Sequence, residues 1–192
     1  MISFNQVTKR YPGGHEALSS VSLTIEQGEL LFLSGHSGAG KSTLLKLIAA
    51  IERPTSGVVS VSGQNISRLP RRAVPYLRRN IGLVFQDHKL LFDRSVIDNV
   101  VLPLDIAGLD RRESLKRARA VIDKVGLLAL LLADEPTGNL DAGYAADIMA
   151  MFRDFHQVGT TLVIATHDER AITALGGRTL HLDHGKIEEI SA

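Results

Sequence analysis

Apolar residues along the chain gather into short runs separated by polar, glycine-bearing segments. "VSLTI" (21–25), "LLFL" (30–33), "GVVSV" (57–61), "IGLVF" (81–85), "ALLLA" (129–133) and "TLVIA" (161–165) have the length of strands, and several are apolar on both faces. A strand that hides both faces belongs to a sheet covered on both sides. The opening "MISFNQVTKRY" has neither the basic end nor the apolar stretch of a signal peptide, and it reads as a first strand. Between the runs lie helically patterned stretches at Lys41 to Ile51, Arg112 to Val125, Ala142 to Gln157 and Glu169 to Leu175. Such alternation predicts an α/β fold with a mostly parallel sheet and flanking helices. "LDHGKIEEI" near the end predicts a hairpin turning at His184-Gly185. From Ser95 to Val125 the pattern is helical, with Leu115, Ala118, Ile122 and Val125 on one face and Gly126 as a stop. This stretch predicts a helical lobe inserted into the sheet domain. No repeat, low-complexity tract or flexible linker interrupts the chain.

Composition narrows this picture only a little. At 192 residues and 44% hydrophobic content, one sizeable domain with a true core is expected. Its 22 basic and 21 acidic residues leave a net charge of +1, which gives no global case for nucleic acid as a partner. The lack of cysteine excludes disulfides and thiolate metal sites and suits a reducing compartment, so the cytosol is expected. The longest apolar run, "GLLALLLA" at 126–133, falls far short of the roughly 20 residues a membrane helix needs. Any membrane role would come through a partner.

The segment "GHSGAGKSTLL" at 35–45 places three glycines and a lysine between an apolar strand and an apolar helix. Gly35, Gly40, Lys41 and Ser42 satisfy G-x-x-x-x-G-K-[ST], and strand before plus helix after is the context that makes this pattern a P-loop. The amides of Gly35, His36, Ser37, Gly38, Ala39 and Gly40 would form an anion nest, aided by the positive end of the helix. Lys41 would reach the β- and γ-phosphates, the Ser42 hydroxyl would ligate Mg²⁺, and Thr43 would add a phosphate hydrogen bond. A P-loop needs an acidic partner on a neighbouring strand. "LLLADEP" at 130–136 provides one: Asp134 would hold Mg²⁺ directly or through water, and Glu135 would orient and deprotonate the attacking water. ATP and Mg²⁺ are the expected cofactors.

With these residues in order, the chain resembles the ATP-binding cassette (ABC) ATPases across nearly its whole length. The resemblance implies a P-loop ABC nucleotide-binding domain spanning 1–192. In it 1–86 and 129–192 form the core, with an antiparallel β portion, and 87–128 form the helical lobe. It also implies that Tyr11 stacks on adenine, that Gln86 touches both Mg²⁺ and the attacking water, that "GNLD" at 138–141 presents Asp141 to a second subunit, and that His167 meets the γ-phosphate. A plainer reading exists for each alone: a turn aromatic, a polar strand end, a helix N-cap, a satisfied loop histidine. "HSGAGKSTLLKLI", "FQDHKLLFDRSVIDNV" and "LLADEPTGNLD" resemble most the cell-division branch of the family, with lipoprotein-release and macrolide-export ATPases as near relatives. That branch implies a homodimer, an integral membrane partner and a place at the cytoplasmic face of the bacterial inner membrane.

One feature of the family is missing. An LSGGQ-like signature and its helix should separate the lobe from the acidic strand, yet "DKVGLL" runs straight into "ALLLADE". Either the segment is deleted, leaving a nucleotide binder with little turnover, or a mobile segment goes unrecorded between about Leu127 and Ala129. The second is expected, because loss of a crossover helix of about 11 residues should strain the fold while the other site residues stay intact. A Cα step near 127–130 much longer than about 3.8 Å would mark the gap.

Two basic groups complete the reading: Arg68, Arg71, Arg72, Arg78 and Arg79, then Arg111, Arg112, Lys116, Arg117 and Arg119. They are either solvated faces or surfaces drawn to an anionic leaflet.

Overall fold

The computed structural model describes residues 1–85, 98, 101–102, 104–105, 108–122, 129–138 and 140–190. By compactness the chain divides into two units, Met1–Gln86 with Ala129–Ala192, and Asp87–Leu128.

The first unit carries two sheets. Strands β1 (Ile2–Arg10), β2 (Glu16–Ile25), β4 (Ser56–Val61) and β5 (Gln64–Asn65) form an antiparallel sheet in the order β2-β1-β4-β5. The runs at 21–25 and 57–61 therefore belong to an antiparallel sheet with one face covered. In β2, Val21, Leu23 and Ile25 are buried while Ser22 and Thr24 face water, the period-2 alternation of a half-buried strand.

The second sheet has the order β10-β9-β3-β8-β7-β6, from β3 (Leu30–Ser34), β6 (Ile81–Val84), β7 (Leu130–Asp134), β8 (Thr161–Ala165), β9 (Arg178–Asp183) and β10 (Lys186–Ile190). Every pairing is parallel except β9 with β10. The central strands bury both faces: Leu30 to Leu33, Leu130 to Ala133 and Thr161 to Ala165 are all buried, as continuous apolar strands of a covered parallel sheet must be. The β9–β10 hairpin turns at His184 and Gly185, both at positive φ (44° and 77°), the backbone of a two-residue hairpin loop that matches strand twist.

Helices α1 (Lys41–Ile48), α2 (Val74–Arg78), α4 (Ala142–Gln157) and α5 (Glu169–Leu175) complete this unit. The helix expected to run to Ile51 stops at Ile48. The short α2, preceded by a single 3₁₀ turn at Arg71–Ala73, was not predicted; its basic, proline-bearing stretch lacks a long apolar period.

In the second unit, α3 (Arg111–Ile122) matches the helix expected from Arg112. Asp110 accepts from the amides of Arg112 (3.1 Å) and Glu113 (3.4 Å) at its start. Arg111 pairs with both Asp98 and Asp105, and these carboxylates, Asp98 first, raise its pKa above the ordinary guanidinium value. Glu113 and Arg117 form an i,i+4 pair at 2.8 Å. The helix end expected at Val125 and Gly126 lies outside the described residues, as does Gln86.

The expectation of an unrecorded segment falls between Leu127 and Ala129, where 127 and 128 lie outside the described residues. The site strand β7 is held by pairing on both edges. Leu130 to Ala133 register against Ile81 to Val84 on one side, and Leu130 to Asp134 against Thr161 to Ala165 on the other. The Cα step across 127–130 lies outside the described residues. Among the described residues no helix is long and apolar enough to cross a membrane.

Candidate functional site

Parallel pairing puts the C-terminal ends of β3, β7 and β8 side by side, where open α/β sheets bind ligands. The loop after β3 is the P-loop. Two of its glycines are fixed by close backbone approach. A Cβ at Gly35 (φ 131°) would strike the carbonyl of Leu182, and one at Gly40 (φ 111°) the carbonyl of Ala17. The loop closes over a cavity of about 530 Å³ lined by Tyr11, His15, Ala17, Gly35 through Thr43, Glu135 and His167.

The start of α1 is built differently from its neighbours. In α4, Asp141 accepts from the amides of Gly143 and Tyr144; in α5, Asp168 accepts from those of Arg170 and Ala171. Helix α1 begins after Gly40 with no side-chain cap and no acid in its first turn. Its first amides, which no helical carbonyl can satisfy, and its dipole stay available to an anion. Lys41 folds across the loop, its ammonium donating to the carbonyls of Gly35 (2.6 Å) and His36 (3.2 Å).

On the cavity wall His167 donates through Nδ1 to Glu135 Oε1 at 3.0 Å. Glu135 is largely buried (side chain 13% exposed), its amide donates to Ala165 O at 2.8 Å, and its φ is 48°. A non-glycine residue held there stores strain of order 1–3 kcal/mol, a pattern found at functional positions. Asp134, one residue earlier, lines a small pocket with Ser42, and its Oδ1 is buried without a hydrogen-bond partner among the described residues. An orphaned carboxylate oxygen beside a hydroxyl suits a hard cation such as Mg²⁺.

Tyr11 lines the cavity with its hydroxyl 3.4 Å from Thr43 Oγ1. Its ring lies 4.8 Å from the Lys9 ammonium, which Glu52 and the Arg53 carbonyl hold in place at 2.7 and 2.9 Å. Of the expected site residues, the structure gathers Tyr11, the whole P-loop, Glu135 and His167 in one cavity, and Ser42 and Asp134 in a second, smaller one. Asp141 takes its plain role as a helix cap. His15 lines the cavity unanticipated; nearness to Tyr11 was its only signal.

Arg68, Arg71, Arg72, Arg78 and Arg79 are all exposed. Arg78 donates through Nε to Ala49 O and through Nη2 to Ala50 O, both at 3.0 Å, closing the end of α1. Arg111 and Arg117 are paired with acids within their own unit.

A P-loop with an uncapped helix behind it, facing a strand that ends in Asp-Glu, defines a P-loop nucleoside-triphosphate site on a two-sheet cassette. The ABC transporter family matches residues 18–144, and the chain belongs to the ABC transporter ATPases. It is similar to the cell division ATP-binding protein FtsE of Escherichia coli (strain K12), 46% identical with 97% of each chain covered. It is also similar to FtsE of Bacillus subtilis (strain 168), 33% identical with 97% of this chain and 94% of that one covered. Among solved structures, the dimer of the ATP-binding cassette MJ0796 bound to ADP and Pi superposes with a TM-score of 0.82. It is 29% identical, with 98% of this chain and 97% of that chain covered. The alignment with the E. coli relative spans 215 positions against the chain's 192 residues, so at least 23 of its positions have no counterpart here.

Proposed function

We propose that the chain is the ATP-binding subunit of a bacterial cell-division complex. It pairs with a second copy and works against an integral membrane partner of the FtsX kind at the cytoplasmic face of the inner membrane, through which it controls periplasmic cell-wall hydrolases. The exposed arginines at 68, 71, 72 and 79 add attraction to the anionic leaflet. One observation carries the reading: a single cavity joins the uncapped start of α1, Lys41 and the Glu135–His167 pair.

The proposed roles are these. Tyr11 offers adenine the ring face away from Lys9. The loop amides from Gly35 to Gly40 hold the phosphate chain, and Lys41 exchanges its loop carbonyls for phosphate oxygens. Thr43 adds a hydrogen bond. Ser42 and Asp134, with Gln86, hold Mg²⁺, which neutralises phosphate charge when bound. Glu135 takes the proton of the attacking water, and His167 orients Glu135 through Nδ1, while its Nε2, which can donate only from the imidazolium, would meet the γ-phosphate.

A second reading is favoured by the missing positions. Without signature amides and their helix, a partner copy cannot supply the donors that stabilise the transferring charge, and losing such donors costs about 10²–10³ in rate for each. The chain would then be a nucleotide-binding regulatory module whose ATP state sets partner affinity. Phosphate release from the purified chain, with and without the membrane partner, separates the two. Partner-stimulated release abolished by Glu135→Gln supports the ATPase, whereas no release in either condition, with MgATP still bound, supports the regulator.

A further inference from the structure

The register between β3 and β9 reaches beyond the sheet. Ser34 pairs with His181, so the chain past each strand continues side by side, Gly35 against Leu182 and His36 near Asp183 and His184. The hairpin turn is fastened there, because the Gly185 amide donates to Ala39 O at 3.1 Å and the Gly185 carbonyl accepts from the Ser19 amide at 2.8 Å. Three side chains of ligand chemistry converge: His36 Nε2 lies 3.3 Å and His184 Nε2 3.8 Å from Asp183 Oδ1, and the three ligand atoms lie within 4.8 Å of one another. The imidazoles stand tilted, with centroids 5.0 Å apart.

The tautomer of His36 points to what belongs between them. Its Nδ1 lies 2.7 Å from the Ser37 carbonyl, which can only accept, so Nδ1 carries the proton. In the neutral ring Nε2 then presents a lone pair toward the carboxylate oxygen of Asp183, acceptor against acceptor. Either a proton on Nε2 or a metal cation resolves that opposition, and an Nδ1–H bonded to a backbone carbonyl is how metal-binding histidines are held. Four ligands around zinc at about 2.0–2.2 Å stand roughly 3.3–3.6 Å apart, a range that includes the His36–Asp183 separation.

We propose that His36, Asp183 and His184 form a site for a borderline first-row divalent cation, zinc by preference, with its fourth position open to solvent. Two imidazoles and one carboxylate select such ions over Mg²⁺, and the chain has no cysteine to offer a competing thiolate. The ion would tie the P-loop to the β9–β10 turn. It is distinct from the Mg²⁺ site at Ser42 and Asp134 and does not depend on the ATPase reading.

The test is calorimetric titration of ZnCl₂ into nucleotide-free, Mg²⁺-free protein, comparing wild type with Asp183→Asn and His184→Asn. Asparagine tolerates the positive φ at 184, and circular dichroism checks that both variants fold. We expect one zinc per chain, undisturbed by millimolar Mg²⁺ and weakened at least 10- to 100-fold in each variant, the loss that even an outer partner of a metal site brings. In wild type, ¹⁵N imidazole resonances should place zinc on Nε2 of His36 and His184, with Nδ1–H of His36 kept. Equal binding in all three proteins, no binding, or shifts confined to other histidines would overturn the proposal.

Discussion

Glu135 and His167 come from the ends of adjacent strands, yet the imidazole Nδ1 rests 3.0 Å from the carboxylate Oε1. The histidine is 75% exposed and the glutamate 13%, so the pair presents one exposed and one largely buried member to the cavity. Glu135→Gln keeps the hydrogen-bonding shape and loses the proposed base. Turnover should fall about 10²- to 10⁴-fold with MgATP affinity retained, as single-turnover assay and equilibrium binding would report. Undiminished hydrolysis would remove the role given to Glu135.

Among the described residues Lys41 donates only within the loop, to Gly35 and His36, so its ammonium is not needed to hold the sheets together. Lys41→Ala should weaken ATP binding by at least 100-fold with little change in melting temperature. Calorimetry and thermal unfolding on the same sample check both parts. An unfolded variant would mean that the lysine is structural.

The strands were legible because their burial and their hydrophobicity coincide. "LLFL", "ALLLA" and "TLVIA" are apolar on both faces and lie in the middle of the parallel sheet. The P-loop was legible for a similar reason: a glycine clash with a backbone carbonyl, as at Gly35 and Gly40, leaves a fixed mark on the sequence. Side-chain partnerships leave no such mark. Nothing in the spacing of Arg78 separates it from Arg79, although one closes α1 and the other lies 4.9 Å from the Tyr76 ring. Likewise nothing in "KVGLLALLLADE" shows that β7 is held by pairing with β6 and β8, far apart in sequence.

Arg78 and Arg79 now make opposite predictions. The exposed group at Arg72 and Arg79 should carry attraction to an anionic surface at about 1 kcal/mol each. Arg72→Glu with Arg79→Glu should therefore reduce binding to vesicles containing anionic phospholipid by at least tenfold, leaving ATP affinity unchanged. Arg78→Glu should instead lower stability by about 1–3 kcal/mol, since the Ala49 and Ala50 carbonyls lose their donor. Co-sedimentation and chemical denaturation separate the effects. Vesicle binding unaltered by the double charge reversal would leave these arginines as a solvated face.

Asp141 offers the sharpest contrast between a local role and one across a dimer. Its carboxylate accepts from the Gly143 amide at 3.0 Å and the Tyr144 amide at 3.1 Å, so it already satisfies the start of α4. Replacement by alanine removes a cap worth about 1 kcal/mol, whereas asparagine keeps the acceptor and loses only the charge. If capping is its whole task, Asp141→Ala should lower stability by that amount and Asp141→Asn by a few tenths, with ATP-dependent dimerisation unchanged in Asp141→Asn. If the carboxylate also reaches a second copy, Asp141→Asn should keep its stability and lose dimer in analytical ultracentrifugation with MgATP. The bonds within the chain favour the first outcome, and a dimer lost without loss of stability would refute it.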